Sequence, residues 1–227
     1  MPESMMQPDL QDVAPVQGVR ASALARWQER GWPGPKAEAW RFTRLALLDK
    51  LSLRPADASL SAGMQDIAAA GMPAAAHVIR FHHGVLVDAS LQGVPDGVTL
   101  RRLDEAGLTQ MLDLLPADHP VTDLSMAAMT SGLLVDVAAG AKVTTPIILM
   151  FTGDSEAVST HPMVLLRVGA AAHAVIADWH QSAVGLLAPL LGIDIADQAR
   201  LDYAKIQSDG AATTHLAATG IKMGENA

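Results

Sequence analysis

Apolar positions recur at helical spacing in the first part of the chain. The apolar residues of the first such run lie about one helical turn apart: Val19, Ala23, Leu24 and Trp27. Gly31 followed by Pro33 indicates the end of this helix. A second amphipathic pattern with basic polar positions runs from Glu38 to Leu51. Residues 1–54 are therefore predicted to be a helical region, with residues 54–61 as a candidate linker.

Residues 55–130 combine strand and helix patterns. The predicted elements are strands over residues 77–82 and 85–87, joined by a tight turn at His83-Gly84, and helices over residues 105–115 and 121–129. This part is predicted to be a mixed α/β region.

From Ser131 onward the pattern changes to short apolar runs separated by turn residues. Strands are predicted over residues 133–137, 146–151, 163–168, 174–179, 201–207 and 214–223. In the first of these, alternate apolar residues point one way and Asp136 points the other, and the same alternation holds around Lys222. Short strands without intervening helices favour a sandwich, a barrel or a solenoid, and periodicity alone does not choose among the three.

Composition narrows the function classes. The chain has 227 residues, 16 basic and 24 acidic side chains, a net charge of −8, and no cysteine. The residues up to Arg54 carry eight basic and six acidic side chains, whereas the rest carry eight and eighteen, which suggests separate modules. The acidic balance argues against a nucleic-acid partner. Without cysteine the chain forms no disulfide, has no thiolate nucleophile and supplies no sulfur ligand to a cluster.

No segment resembles a membrane span or an export signal. The longest uncharged run, between Asp178 and Asp194, is interrupted by glycine and proline. The N-terminus lacks the apolar core of a signal peptide. We therefore expect a cytoplasmic protein without a membrane partner.

One segment carries a specific motif. Residues 31–43 read GWPGPKAEAWRFT, which resembles the pattern G-(apolar)-P-x-x-K-x-E-x-W-(K/R)-(Y/F)-T of the SufD branch of the SufB/SufD iron–sulfur cluster assembly family. The matching residues, whose role is unknown, are Pro33, Lys36, Glu38, Trp40, Arg41 and Thr43. Similar stretches lie around His83-Gly84, at residues 136–149, and from His161-Pro162 to His215. For Trp40 a partner-binding anchor and a core residue are both possible, and the core position is favoured.

The resemblance implies a fold and a role. The expected fold is mainly β: a right-handed parallel β-helix preceded by an N-terminal helical and α+β region, with residues 131–227 forming its first part. Family members are much longer, so the second half of the β-helix and the C-terminal ATPase-docking domain are expected to be missing. The implied function is a non-catalytic scaffold that pairs with SufB and acts with the SufC ATPase. The iron–sulfur cluster would then belong to the complex, with no cofactor bound by this chain alone.

Two other functions stay open. A β-helix enzyme acting on carbohydrate could use Asp178 and Asp202 as a carboxylate pair, although solvent-facing carboxylates explain them more simply. A non-functional fragment could expose its edge strands and associate with itself, for example as a homodimer. Phosphate-loop, nucleophile-elbow and zinc-protease motifs are absent from the sequence, so no catalytic residue is expected.

The histidines are predicted to be structural rather than metal ligands. His82 and His83 are neighbours, and neighbouring side chains on a strand point to opposite faces. His173 and His180 lie seven residues apart, while His161 and His215 are isolated in sequence. None has a recognised ligand spacing with a carboxylate, so no metal site is predicted.

Overall fold

A computed structural model describes residues 17–34, 37–43, 48, 54–56, 72–154 and 158–227. The helices are α1 (Gly18–Arg30), α2 (Glu105–Leu114) and α3 (Pro120–Ala128), with 3-10 turns at Glu38–Trp40 and Asp88–Leu91. The strands are β1 (Arg54–Pro55), β2 (His77–His82), β3 (Val85–Leu86), β4 (Val98–Arg102), β5 (Gly132–Val137), β6 (Lys142–Gly153), β7 (Val158–Thr160), β8 (Met163–Val168), β9 (His173–Ser182), β10 (Val184–Leu187), β11 (Leu190–Ile195), β12 (Arg200–Gln207), β13 (Ala212–His215) and β14 (Ala218–Met223).

The strands wind into a parallel β-solenoid. Each coil contributes one strand to each of three sheets: a helix-covered sheet in the order β14-β11-β8-β5-β4, a long sheet in the order β12-β9-β6-β2-β3, and a short sheet in the order β1-β7-β10-β13. Strands of successive coils pair parallel and in register, as where Gly132–Val137 lies beside Met163–Val168. The predicted parallel β-helix is confirmed, and the sandwich and the barrel are excluded.

Strands from the mixed region precede the regular coils and pair with them directly. β2 lies parallel to β6, β4 lies antiparallel to β5, and β1 lies parallel to β7. The linker prediction is therefore wrong for Arg54 and Pro55, which pair with Val158 and Ser159. Residues 57–61 lie outside the described residues.

Most predicted elements are confirmed, and the corrections have simple physical causes. The helix predicted from Glu38 begins only as a 3-10 turn, followed by a turn and a bend at residues 41–43, and most of its remainder lies outside the described residues. The strand predicted over residues 214–223 is two strands, β13 and β14, because the chain turns a solenoid corner between them. The sequence reasoning missed β4, β7, β10 and β11; β7 and β10 have only three and four residues, too few to show a period.

Alternating side chains fill the solenoid lumen. Leu133, Val135 and Val137 point into the lumen, whereas Leu134 packs under the helices and Asp136 bonds Arg167 on the outside. The predicted alternation along this strand is confirmed. The same row continues through each coil because the strands pair in register.

The helices cover one sheet, and an ion pair joins α1 to α3. Apolar residues of α2 and α3, including Leu108, Met111 and Leu124, pack against the helix-covered sheet. α1 lies on α3, where the Arg26 guanidinium bonds the buried Asp123 carboxylate at 2.7 Å. No helix among the described residues is long and apolar enough to cross a bilayer.

The last strand of each sheet leaves one edge unpaired within the described chain. These strands, β12, β13 and β14, are called the terminal edge here. Ile221 and Met223 of β14 continue the lumen rows of Ile193 and Ile195, yet they are 57% and 60% exposed. The apolar row of the lumen therefore reaches solvent at this end.

Arg20 is expected to contribute strongly to holding α1 against α3. Its guanidinium donates to the carbonyls of Met126, Ala127 and Met129 at 3.3, 3.0 and 2.8 Å, which satisfies the C-terminal end of α3. Arg20→Met keeps the apolar stem but leaves these carbonyls without the donor, so we expect a loss of about 1–3 kcal/mol in the free energy of unfolding. Urea denaturation measures this loss.

The matched control is Arg30→Met on the same helix. The Arg30 side chain pairs with the exposed Asp118, so little stability should be lost. Equal losses in the two variants would contradict the capping role of Arg20.

Candidate functional site

The motif residues divide into two groups in the structure. Glu38, Arg41 and Thr43 are exposed, and Glu38 and Arg41 form a surface ion pair at 2.9 Å. Pro33 and Trp40 are half-buried. Lys36 lies outside the described residues.

Trp40 packs into the apolar layer beneath the helices. Its ring lies 5.2 Å from that of His119, centroid to centroid, and it contacts the buried cluster that contains Trp27. Trp40 is half-buried and lies at the margin of this cluster. Pro33 and Trp40 therefore lie close together in this layer.

Pro33 and Trp40 also line a pocket of about 180 Å³ beside α1. The pocket includes the ion pairs Arg26–Asp123 and Arg30–Asp118, and the buried indole nitrogen of Trp27 has no hydrogen-bond partner among the described residues. Because the two guanidinium groups are already paired with carboxylates, the pocket has little free charge to offer a ligand.

A second group lies where β2 and β6 end, and it corrects the prediction for His82 and His83. One potential ligand atom from each of His82, His83 and Asp154 lies within 4.8 Å of the others. The two rings are 4.3 Å apart because His83 is in the turn, with a φ of 49°, and not on the strand. The alternation argument therefore does not apply to this pair.

A third group surrounds His180 inside the solenoid. The His180 ring stacks on Phe151 at 4.7 Å, and its Nε2 donates to the Asp178 carboxylate at 2.8 Å. Burial opposes the charge of Asp178, but hydrogen bonds from His180 and Tyr203 and the nearby Lys205 outweigh it and lower the pKa of Asp178. Burial lowers the pKa of His180, so a neutral imidazole faces an ionised carboxylate.

His215 joins this group from the next coil. Its ring lies 4.6 Å from that of His180, and its Nδ1 bonds Asp209 at 2.8 Å. Asp209 also accepts the backbone N–H of Ser182 at 2.8 Å. Burial opposes ionisation of Asp209, yet these bonds lower its pKa. Residues that are isolated in sequence are thus neighbours in space.

The predicted carboxylate pair is not brought together. Asp178 lies inside the solenoid, in the group around His180. Asp202 points outward and bonds His173 and Arg200, each at 2.9 Å. Asp202 pairs in register with Val175 rather than with Asp178. The two carboxylates therefore cannot act on one glycosidic bond in this arrangement.

Sequence reasoning missed Asp154 and Asp209 because their partners depend on the register. Asp154 bonds a histidine 71 residues away, and the only available signal for Asp209 is the spacing of six residues to His215. No protein-family model matches the chain, and no curated protein matches it either. The class that the geometry defines is a parallel β-solenoid with N-terminal helices, and the likeness to SufD stays a prediction.

His161 is a buried histidine whose two ring nitrogens are hydrogen-bonded to serines. Ser125 gives its hydrogen to the Ala188 carbonyl at 2.8 Å, so its oxygen accepts from His161 Nδ1 at 3.1 Å. His161 Nε2 then accepts the hydroxyl hydrogen of Ser159 at 3.0 Å. Burial lowers the pKa of His161 to about 3.

This burial predicts a loss of stability in acid. Because the folded pKa lies below the unfolded value of 6.5, the unfolded chain takes up a proton first, and stability falls as the pH drops from about 6.5 towards about 3. One such group contributes a slope of up to about 1.4 kcal/mol per pH unit. In His161→Gln this slope should be reduced, as measured by urea denaturation over that pH range.

Ser125→Ala provides the control. It keeps the buried imidazole, so the wild-type slope should persist while the stability falls at every pH. A His161→Gln slope equal to that of the wild type would show that His161 does not cause the acid sensitivity.

Proposed function

We propose that this chain is a non-catalytic scaffold of the SufB/SufD kind, which pairs with a SufB-like chain and acts with a SufC-like ATPase in iron–sulfur cluster assembly. The observation that carries the proposal is a parallel β-solenoid that follows N-terminal helices with the SufD-like motif. The fold matches the architecture that the motif implies.

The terminal edge has the properties of a docking surface for another coil. The outer backbone groups of β12, β13 and β14 have no strand partner in the described chain, so an added strand can bond them. Ile221 and Met223 lie in the lumen rows and are exposed, so an added coil would bury them. In this proposal, a coil of the SufB-like partner provides both the backbone groups and the apolar side chains.

The polar groups support a scaffold rather than an enzyme. Asp178, Asp202 and Asp209 are each engaged by a histidine, and His161 is held between serines. The chain has no cysteine, so sulfur ligands of a cluster must come from a partner. Since Asp178 and Asp202 point in different directions, the arrangement gives no support to the carbohydrate-active alternative.

The test is binding of a SufB-like protein to the wild-type chain and to Ile221→Lys/Met223→Lys. Charges at these positions oppose burial of the lumen row, so partner capture should fall at least about tenfold, which corresponds to about 1.4 kcal/mol. Co-purification and size-exclusion chromatography with light scattering measure the complex. The chain alone should not hydrolyse ATP, because its sequence has no phosphate-loop motif.

Phe42→Lys is the matched control, because Phe42 is 87% exposed and belongs to the motif turn rather than to β14. Its binding should equal that of the wild type. Loss of binding in Phe42→Lys alone would place the interface at the motif turn. Exclusive self-association through β14, without capture of a SufB-like chain, would overturn the scaffold function in favour of a self-associating fragment.

A further inference from the structure

Parallel pairing brings three possible metal ligands to one corner of the long sheet. β2 ends at His82, β6 ends at Gly153, and His82 pairs in register with Thr152. The turn residue His83 and the residue after β6, Asp154, therefore leave the sheet at the same place. We call His82, His83 and Asp154 the histidine corner.

The hydrogen bonds of Thr152 fix the tautomer of His82. The Thr152 hydroxyl gives its single hydrogen to the Phe81 carbonyl at 3.3 Å, so its oxygen accepts from His82 Nδ1–H at 2.9 Å. His82 Nε2 then carries a free lone pair. This is the arrangement of a metal-binding histidine whose second nitrogen is held by a hydrogen bond.

His83 and Asp154 supply the remaining donors. The buried His83 bonds Asp154 through Nε2 at 2.9 Å, and the Asp154 side chain is 79% exposed. A side chain on Gly153 would come within 3.2 Å of His83 Nδ1, so glycine leaves room for this ring. The corner therefore has a fixed imidazole pair on the protein side and a movable carboxylate on the solvent side.

We propose that the histidine corner binds a first-row divalent transition metal ion such as Zn²⁺, through one nitrogen of each histidine and a carboxylate oxygen. Two imidazoles and a carboxylate are a donor set that these ions prefer, and Ca²⁺ or Mg²⁺ would prefer oxygen ligands. The site lies in the first part of the solenoid, and it does not depend on the proposed scaffold function.

The distances fit after a small adjustment. Ligand atoms around a tetrahedral Zn²⁺ lie about 3.4 Å apart, as the usual Zn–N and Zn–O lengths of about 2.1 Å require. The present ligand atoms lie within 4.8 Å of one another, and His83 Nε2 and Asp154 Oδ1 are 2.9 Å apart. Rotation of the exposed Asp154 side chain can supply much of the change. Three protein ligands leave a coordination position for water.

The experiment is titration of the purified full chain, without an affinity tag, with Zn²⁺ by calorimetry and with Co²⁺ by visible absorption. The wild type should bind one ion saturably at the corner, and bound Co²⁺ should give the intense bands of a tetrahedral nitrogen and oxygen site. Asp154→Asn and His82→Asn should each weaken binding at least about tenfold, since even supporting residues of metal sites contribute that much. Thr152→Val should weaken it by about 10- to 100-fold by releasing the His82 ring.

Asp202→Asn is the matched control, because the His173–Asp202 pair has the same 2.9 Å geometry without a second imidazole. Its metal affinity should equal that of the wild type. Absence of saturable binding, or equal affinity in Asp154→Asn and the wild type, would overturn the proposal. Asp154 is exposed, so this variant should fold even if His82→Asn does not, and circular dichroism checks the fold of each.

Discussion

In-register pairing of parallel strands makes each side chain of a coil the neighbour of its equivalent in the next coil. Phe81 stacks on Phe151 at 5.1 Å, and Phe151 stacks on His180 at 4.7 Å. Along this row the stacked rings change from phenylalanine to histidine within two coils, and both side chains are planar rings. A buried imidazole needs a polar partner, and Asp178, two residues earlier on the same strand, provides one. Asp178 is therefore buried near the terminal edge because the stacked row of rings continues there with His180.

A different constraint acts under the helices. α3 is buried on all sides because it lies between α1 and the helix-covered sheet, so its polar side chains need partners within the protein. Asp123 is paired with Arg26, and Ser125 bonds both His161 and the Ala188 carbonyl. The contacts that hold α1 therefore also satisfy buried groups, which couples the helical layer to the solenoid.

The sequence predicted the elements whose own residues show a periodic pattern. It failed for elements whose conformation depends on pairing with the neighbouring coil. Helices α1 to α3 and the turn at His83-Gly84 have local signals, so they were predictable. β7 and β10 are too short to show a periodic pattern. They are strands because they pair within the short sheet, β7 with β1 and β10 with β13. The alternation of Leu133 to Val137 was predictable, but the 57% exposure of Ile221 was not, since it depends on what lies beyond β14. Partners such as Asp154 follow only from the register.

One of the polar groups, His82, His83 and Asp154, lies where two strands of the long sheet end. Inside a strand, a residue is confined between equivalents above and below it, so a charged group there disturbs two neighbours. At the carboxyl end the chain turns, and His83 takes a left-handed conformation that frees its ring from the row. The ends of parallel strands lie on one edge, so residues such as His83 and Asp154 meet there although 71 positions separate them. Chemistry at this edge can therefore vary without any change in the apolar rows on which the solenoid depends.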